Sequence, residues 1–271
     1  AEERRGFAER AAKSRLQADE AAIRRRDFVI RTANEWWLSG APLDSGTPAE
    51  AWARRYFREQ RGYDLDQFAN LDRSTMRFSP AFEYWTLAEW RHETGRDGRV
   101  RRVKVTAGPK LPAILSAMRT PLGQVRAVHC IFLDPREPVK AALPKPRLMF
   151  GEAGGAAIWI THGPEGVPPP EAREAHPLIL SEGRETGDAL GLAIPEARVW
   201  ACGSINGIGA CPVTWPFVSG VFVAGENDWN KPQALKQLDA ALAALEAGGK
   251  PIDLMRPHAG SDFNDLLKGH E

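Results

Sequence analysis

Apolar residues change their spacing twice along the chain, and each change predicts a different kind of structure. Up to about residue 37, Phe7, Ala11, Leu16, Ile23, Phe28 and Ile30 stand far apart among Ala, Arg and Glu. That predicts one or two charged helices ending near Trp36, Trp37 and Gly40. A turn-rich connector follows from Ala41-Pro42 to Gly46-Thr47-Pro48, and Ala49 to Gln60 reads as a short helix with Ala51, Ala53, Tyr56 and Phe57 toward a core. Between residues 77 and 173 the pattern becomes strand-like. Two apolar runs, Ala113 to Arg119 and Val125 to Leu133, flank a Pro121-Leu122-Gly123 turn and predict a hairpin. The stretch Val139 to Arg147 reads as a Pro- and Lys-rich loop, with a further strand near Ala157 to Ile160.

From residue 174 onward, short apolar runs alternate with helical spacing. Strands are expected at Leu178 to Leu180, Val199 to Ala201, Val221 to Ala224 and Ile252 to Met255. Helices are expected at Gly183 to Leu192, Lys231 to Ala247 and Asp262 to Lys268. This alternation predicts a mostly parallel sheet covered on both faces. The expected organisation is a helical N-terminal segment (1–76), a small β-rich unit (77–173) and an α/β unit (174–271).

The formal net charge is only +1, so any nucleic-acid binding must come from local patches. The densest basic run is Arg96, Arg99, Arg101, Arg102, Lys104 and Lys110, with Asp97 inside it. Solvated surface and phosphate contact are both open readings of that run. Cys130, Cys202 and Cys211 form no CxxC pair, and their sparse, odd count fits a reducing cytoplasm better than a disulfide scaffold. No apolar run reaches the roughly 20 residues of a membrane span, and the charged start AEERRGFAERAAKSR predicts no signal peptide. The six histidines show no paired metal spacing. Tryptophans 36, 37, 85 and 90 suit core packing first and base stacking second. The glycine-rich stretch Gly203 to Gly209 reads best as a tight turn.

In an open α/β sheet, ligands gather outside the carboxyl ends of the strands. Glu182 follows the strand at Leu178, Glu226 and Asp228 follow the strand at Val221, and Asp262 follows the strand at Ile252. Each alone has a structural reading: Glu182 complements a helix dipole and Asp262 caps a helix. Together they call for a counter-cation, and Mg²⁺ characteristically takes a few carboxylates, waters and substrate phosphates.

The sequence LILSEG, then VFVAGEND, then GSDFNDLL resembles the Toprim domain of bacterial-type primases, topoisomerases and related nucleases. The resemblance gives Glu182 the glutamate role after the first strand, as metal ligand or base near an attacking 3′ hydroxyl. It gives Glu226 and Asp228 the metal-holding D-x-D positions, and Asp262 a further acidic position. It covers about residues 174 to 271, and Gly46-Thr47-Pro48-Ala49-Glu50 extends it weakly toward Toprim primases of phage, plasmid and mobile-element type. Two departures stand out: Glu226 is longer by one methylene than aspartate, and Asp228 runs into Trp229 instead of a small residue.

The family implies a Rossmann-like Toprim fold and primer synthesis from NTPs on a single-stranded DNA template, with Mg²⁺ or Mn²⁺ as cofactor. It further implies a replicative helicase or other replication protein as partner. Lys145 and Arg147 read on their own as part of a mobile loop and, by the same resemblance, as residues at nucleotide phosphates; Arg99, Arg101, Arg102 and Lys104 are expected on DNA. These residues hold no zinc-binding module and no P-loop, so no helicase is fused within them. A metal-dependent nuclease and a degenerate, non-enzymatic DNA-binding module remain as rivals.

Overall fold

A computed structural model of the chain describes residues 2–227 and 230–269, so Asp228 and Trp229 lie outside the described residues. One long helix, α1 (Glu2–Leu38), opens the chain. Its middle turns face solvent, with Leu16 and Ile23 both exposed. Its last turns pack: Trp36 lies 4.3 Å from Phe150 and 5.6 Å from Phe82, and Trp37 Nε1 donates to the Thr75 carbonyl at 3.0 Å. The second helix, α2 (Pro48–Tyr56), starts where Thr47 caps the Glu50 amide and continues as a π turn over Phe57–Arg61.

Two five-stranded sheets form the body. The first is antiparallel in the order β1 (Ala41–Pro42), β2 (Met76–Glu83), β5 (Lys110–Arg119), β6 (Val125–Phe132) and β7 (Arg147–Gly151). The predicted hairpin is its centre, with β5 and β6 paired from Ala113↔Phe132 to Arg119↔Val125. Strands β3 (Glu89–Thr94) and β4 (Val100–Thr106) stand apart as a two-stranded hairpin. The basic run therefore lies largely on an exposed ribbon.

The second sheet runs β12 (Ile252–Met255), β11 (Val218–Ala224), β9 (His176–Ser181), β10 (Arg198–Ala201) and β8 (Ile158–His162). Strands β9 to β12 pair in parallel, and β8 closes the edge antiparallel to β10. Helices α3 (Arg184–Ala193), α4 (Ile205–Gly209) and α5 (Pro232–Glu246) connect the strands, and α6 (Phe263–Leu267) follows β12. Alternate residues serve two cores. Ile158, Ile160, Ile179 and Val199 pack with Leu190 of α3 and with Phe78 and Ile114 of the first sheet. Trp159, Leu180, Trp200 and Val223 pack with Leu238 and Ala241 of α5. Both faces are covered, as the near-continuous apolar strands demanded.

Four features differ from the sequence expectation. The strand near Ala157 pairs with β10 in the second sheet and does not extend the β-rich unit. Arg147, expected at the end of a loop, opens strand β7. The stretch after Gly203 is a helical turn, α4, because Ser204 Oγ accepts from the Gly207 amide at 3.0 Å. Strands β3 and β4 carry no clear alternation of apolar residues, because they are exposed on nearly every side chain.

Helix α3 sits close on the sheet because Gly187 has no side chain. A Cβ there would lie 2.4 Å from Ile160 Cδ1 and 2.7 Å from Ser181 Oγ. Gly187→Val should therefore overpack the interface and cost roughly 1–3 kcal/mol, read as a lowered midpoint in urea unfolding. An unchanged midpoint would show that α3 can lift without cost.

Candidate active site

Strands β9 and β11 are parallel neighbours with Ser181 opposite Ala224, so the residues just beyond them emerge side by side. Glu182 and Glu226 are those residues, and both line one open cleft of about 280 Å³. Its walls also carry Arg147, Arg184, His129 and Gly203. The backbone around each acid is pinned. Gly203 N donates to the Glu182 carbonyl at 2.8 Å, tying the β9 end to the loop after β10. Arg256 Nη1 donates to the Glu226 carbonyl. Asn227 reaches the Pro257 and Gly260 carbonyls, both at 3.0 Å, and its amide donates to Ser261 O at 2.9 Å. The loop after β11 is thus stitched to the loop after β12.

The predicted site residues are found as follows. Glu182, Glu226 and Arg147 meet at the cleft. Asp228 lies outside the described residues. Asp262 caps α6, its Oδ1 accepting from the amides of Asn264 at 2.8 Å and Asp265 at 3.0 Å, and it does not line the cleft. Lys145 is exposed, and its carbonyl accepts from Tyr84 Oη at 3.2 Å. On β4, Arg101 pairs with Asp97 at 2.6 Å and Lys104 with Glu83 at 2.8 Å. The Arg102 guanidinium lies 4.4 Å from the Trp90 ring, and Arg99 is exposed.

The sequence pattern does not point to Glu185, one turn beyond Glu182. It is buried, and Lys140 Nζ approaches it at 2.7 Å, Arg61 Nη2 at 3.4 Å and Arg147 Nη1 at 3.5 Å. Burial alone would push this carboxyl up, but the three cations outweigh it and hold Glu185 below the ordinary carboxylate range. Its partners come from the π turn, the 133–146 loop and β7, so only the fold brings them together. Beside it, Arg184 and Asp188 form a fully buried two-pronged pair at 3.1 Å, and Tyr63 Oη donates to Asp188 at 2.5 Å.

In the sequence, His129 is one of six histidines without paired spacing. It lies buried on β6 at the cleft wall, and its Nδ1 has no hydrogen-bond partner. Burial pushes its imidazole down to about 4. The unfolded chain takes up that proton near pH 6.5, whereas the folded chain resists until about pH 4. Stability should therefore fall as pH drops through this window, by roughly 3 kcal/mol, and His129 should add no further loss below it. His129→Gln should flatten that part of a stability-versus-pH curve. A slope unchanged by the substitution would assign it to other groups.

Oxygen donors at an open cleft suit a hard divalent cation that keeps waters and takes substrate phosphates. Among the described residues, no three acidic, histidine or cysteine side chains converge into a closed cage. Glu182 and Glu226 fit the open kind of site, with two carboxylates from neighbouring strand ends.

Residues 29–160 match the family model of a domain of unknown function (DUF7146), and residues 177–270 match that of the Toprim domain. No curated protein matches the chain. Among solved structures, the DnaG primase catalytic domain bound to ssDNA is similar at 16% identity over 91% of this chain and 78% of its own, with a TM-score of 0.51. The E. coli primase catalytic core is similar at 16% identity over 89% and 75%, with a TM-score of 0.50. The RNA polymerase domain of Mycobacterium tuberculosis primase DnaG is similar at 14% identity over 89% and 79%, with a TM-score of 0.51. At such identities the likeness shows the fold, and the expected order of helix, β-rich region and mostly parallel sheet is the observed one. No helix among the described residues is long and apolar enough to cross a membrane.

Proposed function

Because the chain carries a Toprim domain on the fold of a primase catalytic core, we propose that it is a primase-like nucleotidyltransferase. It would join ribonucleotides into short primers on single-stranded DNA, with Mg²⁺ or Mn²⁺. The observation that carries this reading is the meeting of Glu182 and Glu226 on one cleft whose wall also bears Arg147. In the reaction a 3′ hydroxyl oxygen bonds to the α-phosphorus of an incoming NTP, and the bond to pyrophosphate breaks. A divalent cation supplies charge neutralisation for the attacking and leaving oxygens.

The chain's own residues divide the remaining work. Glu182 would act at the attacking hydroxyl, as metal ligand or base, and Glu226 with Asp228 would hold the cation. The cluster at Glu185 sets one carboxylate against Lys140, Arg61 and Arg147. That surplus of two positive charges beside the cleft favours a bound anion, for which a triphosphate is suited. Lys145, exposed on the same loop, would extend this phosphate-binding wall. Arg99, Arg101, Arg102 and Lys104 would meet the template, and a replicative helicase remains the proposed protein partner. Three free cysteines, all buried, fit a cytoplasmic setting.

The test uses single-stranded DNA, labelled NTPs and Mg²⁺ or Mn²⁺. Short labelled products that vanish without metal are the expected result. DNA fragments made without NTPs would point to a nuclease instead, and bound but unreacted DNA would point to a binding module.

A further inference from the structure

His129 is a buried polar side chain whose place in the cleft wall the fold alone does not explain. It sits on β6 between Ser116 of β5 and Met149 of β7. Its neighbours on the same face of the strand, Ala127 and Ile131, pack toward the second sheet. The residue is 7% exposed, and it lines the cleft with Glu182 and Glu226. Its Nδ1 is shut off from solvent and has no hydrogen-bond partner. An apolar side chain would fill that space without the cost of an unmet nitrogen. Buried nitrogens of Trp159, Trp200 and His162 are orphaned too, but among the described residues only His129 combines this defect with a place on the cleft wall. Such a departure from good packing is expected where a residue serves function.

The surroundings set what the ring can offer. Because Nδ1 is closed to solvent, the cleft meets the ring only through Nε2. A neutral imidazole carries one proton, and that proton belongs on the nitrogen able to find an acceptor. The ring therefore turns an Nε2–H donor toward the cleft. It stays neutral because burial disfavours a second proton, while the cations Arg147, Arg184 and Lys140 oppose the pull of Glu185. Two of those cations are fixed beside it. Arg184 Nη1 donates at 3.3 Å to Oγ of Ser116, the residue directly opposite His129 on β5. Arg147 faces Ile131 across the β6–β7 pairing, two residues along from His129 and Met149. A donor set among cations matches a ligand that brings acceptors and negative charge. Phosphate oxygens are such a ligand, whereas a sugar or base brings donors as well and has no need of the cations.

Resting on the primase-like reading above, we infer that His129 belongs to the triphosphate subsite of the cleft, where its Nε2–H donates to a phosphate oxygen of the nucleotide. It adds an uncharged donor to a wall otherwise made of cations. The imidazole thus has a use that no apolar residue at this position could supply.

The test is isothermal titration calorimetry on the full chain, without metal or template, with inorganic tripolyphosphate and ATP as probes. Two amide side chains separate the ring nitrogens: Gln reaches about as far as Nε2, and Asn only as far as Nδ1. His129→Asn and His129→Leu should each weaken tripolyphosphate binding roughly 10- to 150-fold, the range for a hydrogen bond to a charged group. ATP should show the same loss. His129→Gln should keep most of the wild-type affinity, a distinction that a residue used only for packing would not make. Thermal melts check that the variants stay folded, and His129→Asn carries the comparison if His129→Leu does not fold. Wild-type affinity in His129→Asn would overturn the inference while leaving primer synthesis to be judged by its own assay. A loss seen with ATP but not with tripolyphosphate would put the contact on the sugar or base and equally overturn it, as would absence of tripolyphosphate binding by the wild type. Binding that depends on His129 in a protein that makes no primers would support the subsite and count against the primase-like reading alone.

Discussion

Glu182→Gln should reduce primer synthesis by roughly 10²–10³-fold or more, the loss expected when a group aimed at developing charge in the transition state is removed. The substitution keeps the shape of the side chain and removes its charge. The carboxylate stands at the end of β9, partly exposed at the cleft. Thermal stability should hold, and so should DNA binding in the absence of metal. Glu226→Gln should behave alike, and so should Asp228→Asn by its place in the Toprim pattern. Glu226→Asp is more discriminating. Aspartate restores the shorter acid of the D-x-D pattern, so activity should persist or rise. Activity in Glu182→Gln equal to that of the wild type would move the chemistry elsewhere.

The largest effect on stability is expected at Asp188. This residue and Arg184 are both almost wholly buried, with side-chain exposures of 0% and 1%. Their pair also holds Tyr63 at 2.5 Å and Ser116 at 3.3 Å. It thereby ties the helix behind the cleft to the N-terminal region and to the first sheet. Asp188→Ala leaves the Arg184 guanidinium buried without its counter-charge, which typically costs about 3–5 kcal/mol. Urea unfolding should show the loss directly. Replacing both residues with apolar ones of similar volume should recover much of it, since the desolvation cost of the pair disappears with its attraction. A single variant that loses less than about 1 kcal/mol would mean that water reaches Arg184.

The contrast between Glu182 and Glu185 shows what a sequence can and cannot carry. Glu182 is legible because an apolar strand, an acid and a helix start follow one another within a few residues. The same grammar exposes Glu226 after β11. Glu185 is not legible, although it lies three positions from Glu182. Its role depends on Lys140, Arg61 and Arg147, which reach it from segments 38 to 124 residues away. Asp262 carries two readings in the sequence, an acidic site position and a helix cap, and the structure describes the cap. A plausible acid in the right loop is engaged by the Asn264 and Asp265 amides at 2.8 and 3.0 Å. The β3–β4 ribbon escapes notice because a ribbon exposed on both faces has no buried side to impose alternation.

The parallel strands announce themselves for the converse reason. Burial on both faces makes β9, β10 and β11 short, nearly unbroken apolar runs, and that pattern survives without any knowledge of their neighbours. The register between β9 and β11, which sets Glu182 beside Glu226, is a property of the sheet alone.

Whether Glu182 and Glu226 together hold a catalytic divalent cation is tested most directly by Mn²⁺ titration followed by electron paramagnetic resonance, with an NTP present and no template. The expected result is a protein-dependent bound Mn²⁺ signal that is strongly weakened in Glu182→Gln and in Glu226→Gln, in folded proteins whose oligo(dT) binding is intact. Mn²⁺ binding of the same strength in the wild type and both variants would contradict it.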